Sequence, residues 1–288
     1  MGTPLAGRAV GLARESQRGF VSRIGYDLFE EVRILLTDGQ PAGRAHFRTL
    51  DSHVAVLRDQ LLMAGVEVIE VPPVPAEHEF IACLTHDVDH PRIRLHRFDH
   101  TVVGFLYRAL VGSVTRLLAG RISARDLLRN WAAAARLPLV QLGLAKDFWY
   151  EFDRYTEIET GMDSTFFVLP FKSDPGRKPP GTAPSKRASS YGVSDIAERI
   201  KGLIAAGHEV CLHGLDAWID ARSAERERDE VRGVTGAPAL GVRMHWLYFD
   251  QDSPRKLEAA GFDYDSTLGD HETVGFRAGT AQVYKLLG

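Results

Sequence analysis

Cysteine is scarce in this 288-residue chain: only Cys83 and Cys211 are present. Two thiols build neither a disulfide scaffold nor a four-cysteine zinc knuckle, and both fall in apolar runs where a small core residue is expected. Charge of one sign is lacking too. Lys and Arg number 35 against 38 Asp and Glu, a formal net charge of -3. Such a balance predicts no basic field for nucleic acid or an anionic membrane. No uninterrupted apolar run reaches the roughly 18 residues of a membrane span, and Phe105 to Leu118 is broken by Arg108 and Arg116. The opening MGTPLAGRAVGLARESQRG has no continuous apolar h-region, so no export signal is read and the cytoplasm is the expected compartment. Hydrophobic residues at 44% and charged residues at 25% are the composition of a folded globular chain, which excludes disorder.

The patterning divides the chain in two. Residues 1–79 read as a small N-terminal α/β extension, loosely ordered over 1–24. Phe29, Val32, Leu35 and Leu36 recur at helical spacing. LDSHVAVLRDQLLMA (50–64) is amphipathic, stops at Gly65, and leads into VEVIEVP, an alternating strand. PPVPAEH then reads as a linker.

Residues 80–288 read as the main domain. FIACLT (80–85), STFFVLP (164–170), EVCLH (209–213) and VRMHWL (242–247) are short apolar runs of the kind buried on both faces of a parallel sheet. Between them lie a helical insertion, about 101–160, and a Pro/Gly/Ser-rich stretch, 172–190, expected to be a flexible surface loop. Ser194 caps a helix that Gly207 ends, residues 222–232 form a charged helix, and Ser253-Pro254 opens a helix that Gly261 closes. Strands alternating with helices predict an α/β fold with its chemistry at the strand C-terminal ends.

Those ends carry the candidates. FIACL runs into Thr85-His86-Asp87-Val88-Asp89-His90, with carboxylates at i and i+2 on one face if the strand continues. Like charges that close repel unless a cation lies beside them; a divalent metal held by one Asp, with the other free as a base, resolves the conflict. EVCLH delivers His213, followed by Gly214 and Asp216. VRMHWL delivers Arg243 and His245, and an Arg there can orient a catalytic carboxylate. Asp265, His271 and Arg277 lie near the end. Trp149, Tyr150 and Phe152 can stack on a sugar ring, although helix packing is the commoner use, and the HRFDH segment with His96, Asp99 and His100 reads as a solvated loop.

In this order the motifs resemble the polysaccharide deacetylase superfamily (the NodB-type homology domain of carbohydrate esterase family 4). LTHDVDH is similar to its first motif, STFFVLP to its second strand, AAGHEVCLHG to its histidine motif, and GVRMHWLYFD with AAGFDYDSTLG to its arginine motif and the unit after it. The likeness spans roughly residues 80–280, and more narrowly resembles bacterial members with an N-terminal extension and a helical insertion. It implies a distorted (β/α) barrel of about seven strands, one divalent metal, usually zinc, and removal of N- or O-linked acetyl groups from a glycan or sugar precursor. By position, the resemblance makes Asp87 the base, Asp89 and His213 metal ligands, and Arg243 the residue holding Asp87.

Three departures from the family pattern matter. Its second histidine is replaced here by Ala217, which leaves the third ligand to His90 or His245; Asp216 has the wrong spacing. His90 is taken as that ligand. His245 stands where the arginine motif usually has Pro. The late Leu-His motif that supplies the acid is not visible before Gly288; either the domain is cut short or another histidine takes the role, and His245 is taken as the acid. Two other readings compete: a catalytically inactive glycan-binding module on the same fold, and a metal phosphohydrolase of the His-Asp type, whose pair lies inside a helix rather than after a strand.

Overall fold

The computed structural model describes residues 11–16, 19–72, 74–75, 77–97, 99–179, 187–270 and 273–285. At the front, β1 (Gly11–Ser16) and β2 (Gly19–Ile24) pair antiparallel where loosely ordered chain is expected. Two helices follow. Asp27 caps α1 (Leu28–Thr37) by accepting from the Glu30 amide, and α2 (Thr49–Met63) matches the predicted amphipathic segment. The expected strand VEVIEVP does not form: Ile69 is 99% exposed and no partner strand lies beside it among the described residues. An unpaired strand of that kind gains nothing over hydration of its backbone.

The main sheet contains β3 (Leu84–Val88), β4 (Ser164–Val168), β5 (Glu209–Gly214), β6 (Gly241–Met244) and β7 (Tyr264–Asp265), all parallel and neighbouring in chain order. Such an order has no reversal point of the kind that marks a doubly wound sheet. Phe166, Phe167, Val168, Cys211, Leu212 and Val242 form its buried centre. On the faces lie α7 (Ala197–Ala205), α8 (Ala221–Thr235) and α9 (Ser253–Ala259). As predicted, α7 and α9 end at Gly207 and Gly261, whose φ of 93° and 75° suit glycine alone without strain.

Register corrects one boundary. Leu84 pairs with Ser164, the first residue of β4, so the chain before Leu84 projects past its neighbour. Phe80 is 74% exposed and Cys83 is exposed, against the expectation of a buried strand and a core thiol. Cys211 is buried, and burial pushes its thiol up to about 12. The shift carries Asp87 into the strand itself.

The insertion is helical as expected: α3 (His100–Tyr107), a π-turn over Arg108–Gly112, α4 (Ser113–Leu118), α5 (Ala124–Gln141) and α6 (Phe152–Ile158). From His100 to Leu118 the helix is continuous and, by length and composition, apolar enough to cross a bilayer. Of the Pro/Gly/Ser-rich stretch, residues 180–186 and His271 further on lie outside the described residues. Ser189, at the far end of that stretch, is buried rather than at the surface, and its Oγ reaches the Asp89 carbonyl at 3.3 Å. The C-terminal segment is stitched to the N-terminal unit by Gln40 to Arg277 and Phe276 to Ala45 backbone bonds, each 2.7 Å.

Tyr191, fully buried, ties the ends of two strands. Its hydroxyl donates to the Val88 carbonyl and accepts from the Leu169 amide at 3.1 Å. Tyr191→Phe leaves both groups without that partner, and should cost about 1–3 kcal/mol in a denaturant melt. A loss near zero would show that the strand ends are held by other means.

Candidate metal centre

Parallel register puts Asp87, Phe167 and Cys211 side by side. His213 is two residues beyond Cys211, on the same face, and pairs with Arg243. Neighbouring strands run about 4.8 Å apart, so β3 and β6 in a flat sheet would be separated by roughly 14 Å. Yet the Arg243 guanidinium donates from Nη1 to Asp87 Oδ1 at 2.9 Å and to Thr85 Oγ1 at 3.0 Å. The sheet is therefore curled, and the curl gathers side chains from β3, β5 and β6.

Arg243 is fixed on every side. Nη2 donates to Ser266 Oγ at 2.6 Å, Nε to the Ser266 carbonyl at 3.3 Å, and the guanidinium carbon lies 4.4 Å from the Phe167 ring centre. This fork engages Asp87 through Oδ1, and Asp87 lines a cavity of about 800 Å³ together with Asp89, His90, His213 and Trp246.

Asp89, His213 and His245 converge. One donor atom from each lies within 4.8 Å of the other two. His213 Nε2 and His245 Nδ1 are 3.0 Å apart, and each is 3.3 Å from Asp89 Oδ1. Asp89 Oδ1 is buried and, among the described residues, has no hydrogen-bond partner, which is costly unless a cation completes it. His213 is itself buried and its Nδ1 donates to the Arg243 carbonyl at 3.0 Å. A carbonyl only accepts, so Nδ1 carries a proton, and Nε2 faces the cluster.

The electrostatics agree with that geometry. Burial alone would raise the Asp89 carboxyl; contact with His213 and the fields of His213, His245 and His90 outweigh it and hold the group below the usual carboxylate range. Burial, then His213, push His245 down to about 4, leaving it a neutral donor near pH 7. Two imidazoles and one carboxylate, with room beside them, are a donor set suited to a divalent ion such as zinc.

The donors that converge are not the three expected from the sequence. His245, expected as the acid, stands in the cluster, and His90, expected as the ligand, does not. The His90 ring packs edge-on to His96 at 4.9 Å between ring centres and 6.1 Å from Trp149. Strand β6 ends at Met244, so the chain turns at His245 and carries its ring back over His213; the adjacent Trp246 takes φ 67° in that turn. Asp216 points away and accepts from the Arg177 amide at 2.6 Å. Ala217 is fully buried in the core.

Other side chains are placed where sequence reasoning did not look. His96 is buried, not solvated: Nδ1 meets Asp99 Oδ2 at 2.6 Å and Nε2 meets Ser190 Oγ at 3.0 Å, while Asp99 caps α3. Tyr150 lies beneath Arg92, 4.1 Å away, and Phe152 is buried in the core, so both serve packing. The anchoring hydroxyl of Ser266 has no sequence signal beyond its place in DYDSTLG. His86 faces the opposite side of β3, bonded to Glu159 at 2.8 Å.

Glu227 supports the turn after β5. Its two oxygens accept the Leu215 and Asp216 amides at 2.9 and 2.7 Å, and burial pushes its carboxyl up to about 8. Because the folded value lies above the unfolded one, this group's contribution to stability is full below about pH 4.5 and is lost as pH rises toward about 8. Thermal melts at both ends of that window should show Glu227→Gln losing less on alkalinisation than the parent chain. An equal loss would contradict the assignment.

No family model and no curated protein matches this chain. A crystal structure of a protein from Mycobacterium smegmatis, provisionally described as a polysaccharide deacetylase, is similar at 18% identity and a TM-score of 0.34, covering 70% of this chain; the chain spans 56% of that structure's length.

Proposed function

We propose that the protein is a metal-dependent hydrolase that removes acetyl groups, N- or O-linked, from a glycan or sugar precursor. The observation that carries the reading is the convergence of Asp89, His213 and His245 on one point, beside an Asp87 clamped by Arg243. The acyl-glycan substrate class rests on the motif resemblance. Closure of the curled sheet into a distorted barrel, and the division of the chain near residue 79, belong to the same reading.

Asp89, His213 and His245 would hold the ion. When bound, a divalent cation polarises an acyl carbonyl and lowers the pKa of water from about 15.7 toward about 7. Everything else falls to the chain. Arg243 takes Asp87 Oδ1, so the proton of the attacking water goes to Oδ2. Asp87 cannot swing away, because Ser266 and Thr85 hold the guanidinium in turn. With His245 among the ligands, protonation of the leaving group passes to His90, which lines the cavity. Burial and the neighbouring His96 lower its pKa, so the donating imidazolium is the minor form near neutral pH and the acid step should strengthen as pH falls.

Acetate release from acetylated amino-sugar oligomers and from an O-acetylated glycan, with and without added zinc, tests the reading. Zinc-dependent release from either supports it. No release from zinc-loaded protein would favour the glycan-binding module, whose supporting observation is the buried Ala217 in place of a second histidine. The phosphohydrolase reading has less support, since His86 and Asp87 sit on β3 and His86 turns from the cluster.

A further inference from the structure

The insertion has an outer face that nothing among the described residues covers. Along the continuous helix from His100 to Leu118, Val103, Tyr107, Leu110, Val111 and Leu118 are 60%, 64%, 44%, 49% and 83% exposed. Their spacing of four, three, one and seven residues places them on a single stripe. The opposite stripe is in use: Val102 packs with Leu137 and Val140 of α5, and Ala109 is also buried. Helix α5 repeats the arrangement with Leu128 and Trp131, 63% and 44% exposed. Exposed apolar area of this extent on a folded chain marks an interaction surface.

Charge identifies what it meets. Residues 100–144 contain six arginines, at 108, 116, 121, 125, 129 and 136, and one acidic residue, Asp126. The hairpin therefore carries +5 within a chain of net charge -3; the overall balance conceals a local basic field. Among the described residues, only Arg129 of these has a carboxylate within ion-pair distance, Asp126 at 3.9 Å. Apolar stripes flanked by arginines, with Tyr107 and Trp131 among the exposed rings, are the pattern of helices that lie in the interface of an anionic bilayer. Arg108 and Arg116 inside the helix oppose a spanning placement.

We infer that this helical hairpin docks the protein on a negatively charged membrane surface, lying in the headgroup region rather than crossing it. Asp99, His100 and Thr101, at the first turn of the same helix, line the cavity of the metal centre. Docking would therefore bring the mouth of the cavity to the bilayer. On the hydrolase reading, on which this last step rests, the substrate is a glycan presented at a membrane surface.

Flotation of the purified full chain with vesicles tests the docking, using phosphatidylcholine alone and phosphatidylcholine mixed with phosphatidylglycerol. Binding is expected with the anionic vesicles only, and release on raising salt to about 0.5 M. Arg116→Gln, Arg125→Gln and Arg136→Gln combined should weaken partitioning roughly a hundredfold, near fivefold for each charge. Val111→Glu with Leu128→Glu should abolish it, and a thermal melt matching the parent chain identifies a folded variant. Failure of the parent chain to float with anionic vesicles overturns the proposal. So does binding to neutral vesicles that persists in alkaline carbonate, which would mean a spanning helix, or a solution dimer that ignores vesicles, which would mean a second copy covers this face. Asp89→Ala should float like the parent chain. If it does while the parent chain binds no zinc, the reading of the metal centre falls and the docking surface stands.

Discussion

Asp89→Ala is expected to abolish stoichiometric zinc binding. The substitution removes one of three converging donors together with the sole charge among them. Loss of a group that merely orients a ligand lowers metal affinity roughly 10–100-fold, so loss of a ligand should exceed about a hundredfold. His213→Ala should do the same, and in both variants the zinc-induced rise in melting temperature should vanish. In the parent chain, zinc at about 100 times its dissociation constant should add roughly 2.7 kcal/mol to stability. Equilibrium dialysis and thermal melts with and without zinc read the two effects separately. A His90→Ala variant provides the contrast: its ring lies against His96 and Trp149, so zinc should still bind. Zinc binding lost in His90→Ala but kept in His245→Ala would reverse the ligand assignment.

The second large effect is on turnover. Asp87→Asn keeps the shape of the side chain and can still meet Arg243, but offers no carboxylate to take a proton. Its kcat should fall roughly 10²–10⁴-fold, the range for loss of a general base, while zinc affinity changes little because Asp87 is outside the ligand cluster. Arg243→Lys breaks the fork that reaches both Thr85 and Asp87. A lysine ammonium cannot reproduce that geometry, so turnover should fall there too, by less. Equal loss of zinc and turnover in Asp87→Asn would show that Asp87 acts as a ligand.

How far these features were legible follows from where each signal resides. Asp87, Asp89, His213 and Arg243 could be named from sequence because each follows a short apolar run, and parallel strands bring such ends together. Their meeting depends on the curl of the sheet, which no local pattern encodes. The nearness of His245, rather than His90, to His213 depends on a local turn. His90 is next to Asp89 in the chain, but the turn after Met244 carries His245 to His213, and that turn requires a positive φ at Trp246 that is uncommon for a bulky residue. The start of β3 was misplaced because FIAC and LTHDV are equally apolar at their junction; register with Ser164 decides between them. The strand expected at VEVIEVP alternates correctly and has no neighbour, a condition a single segment cannot reveal. The basic hairpin was hidden by a net charge averaged over the whole chain.

The central claim is that Asp89, His213 and His245 grip one divalent cation. Anomalous diffraction above and below the zinc edge, on crystals of the zinc-loaded chain, tests it most directly. The account predicts a single strong peak about 2.0–2.2 Å from two imidazole nitrogens and one carboxylate oxygen, belonging to those three residues. A peak elsewhere, or none at these donors in zinc-saturated crystals, would contradict it.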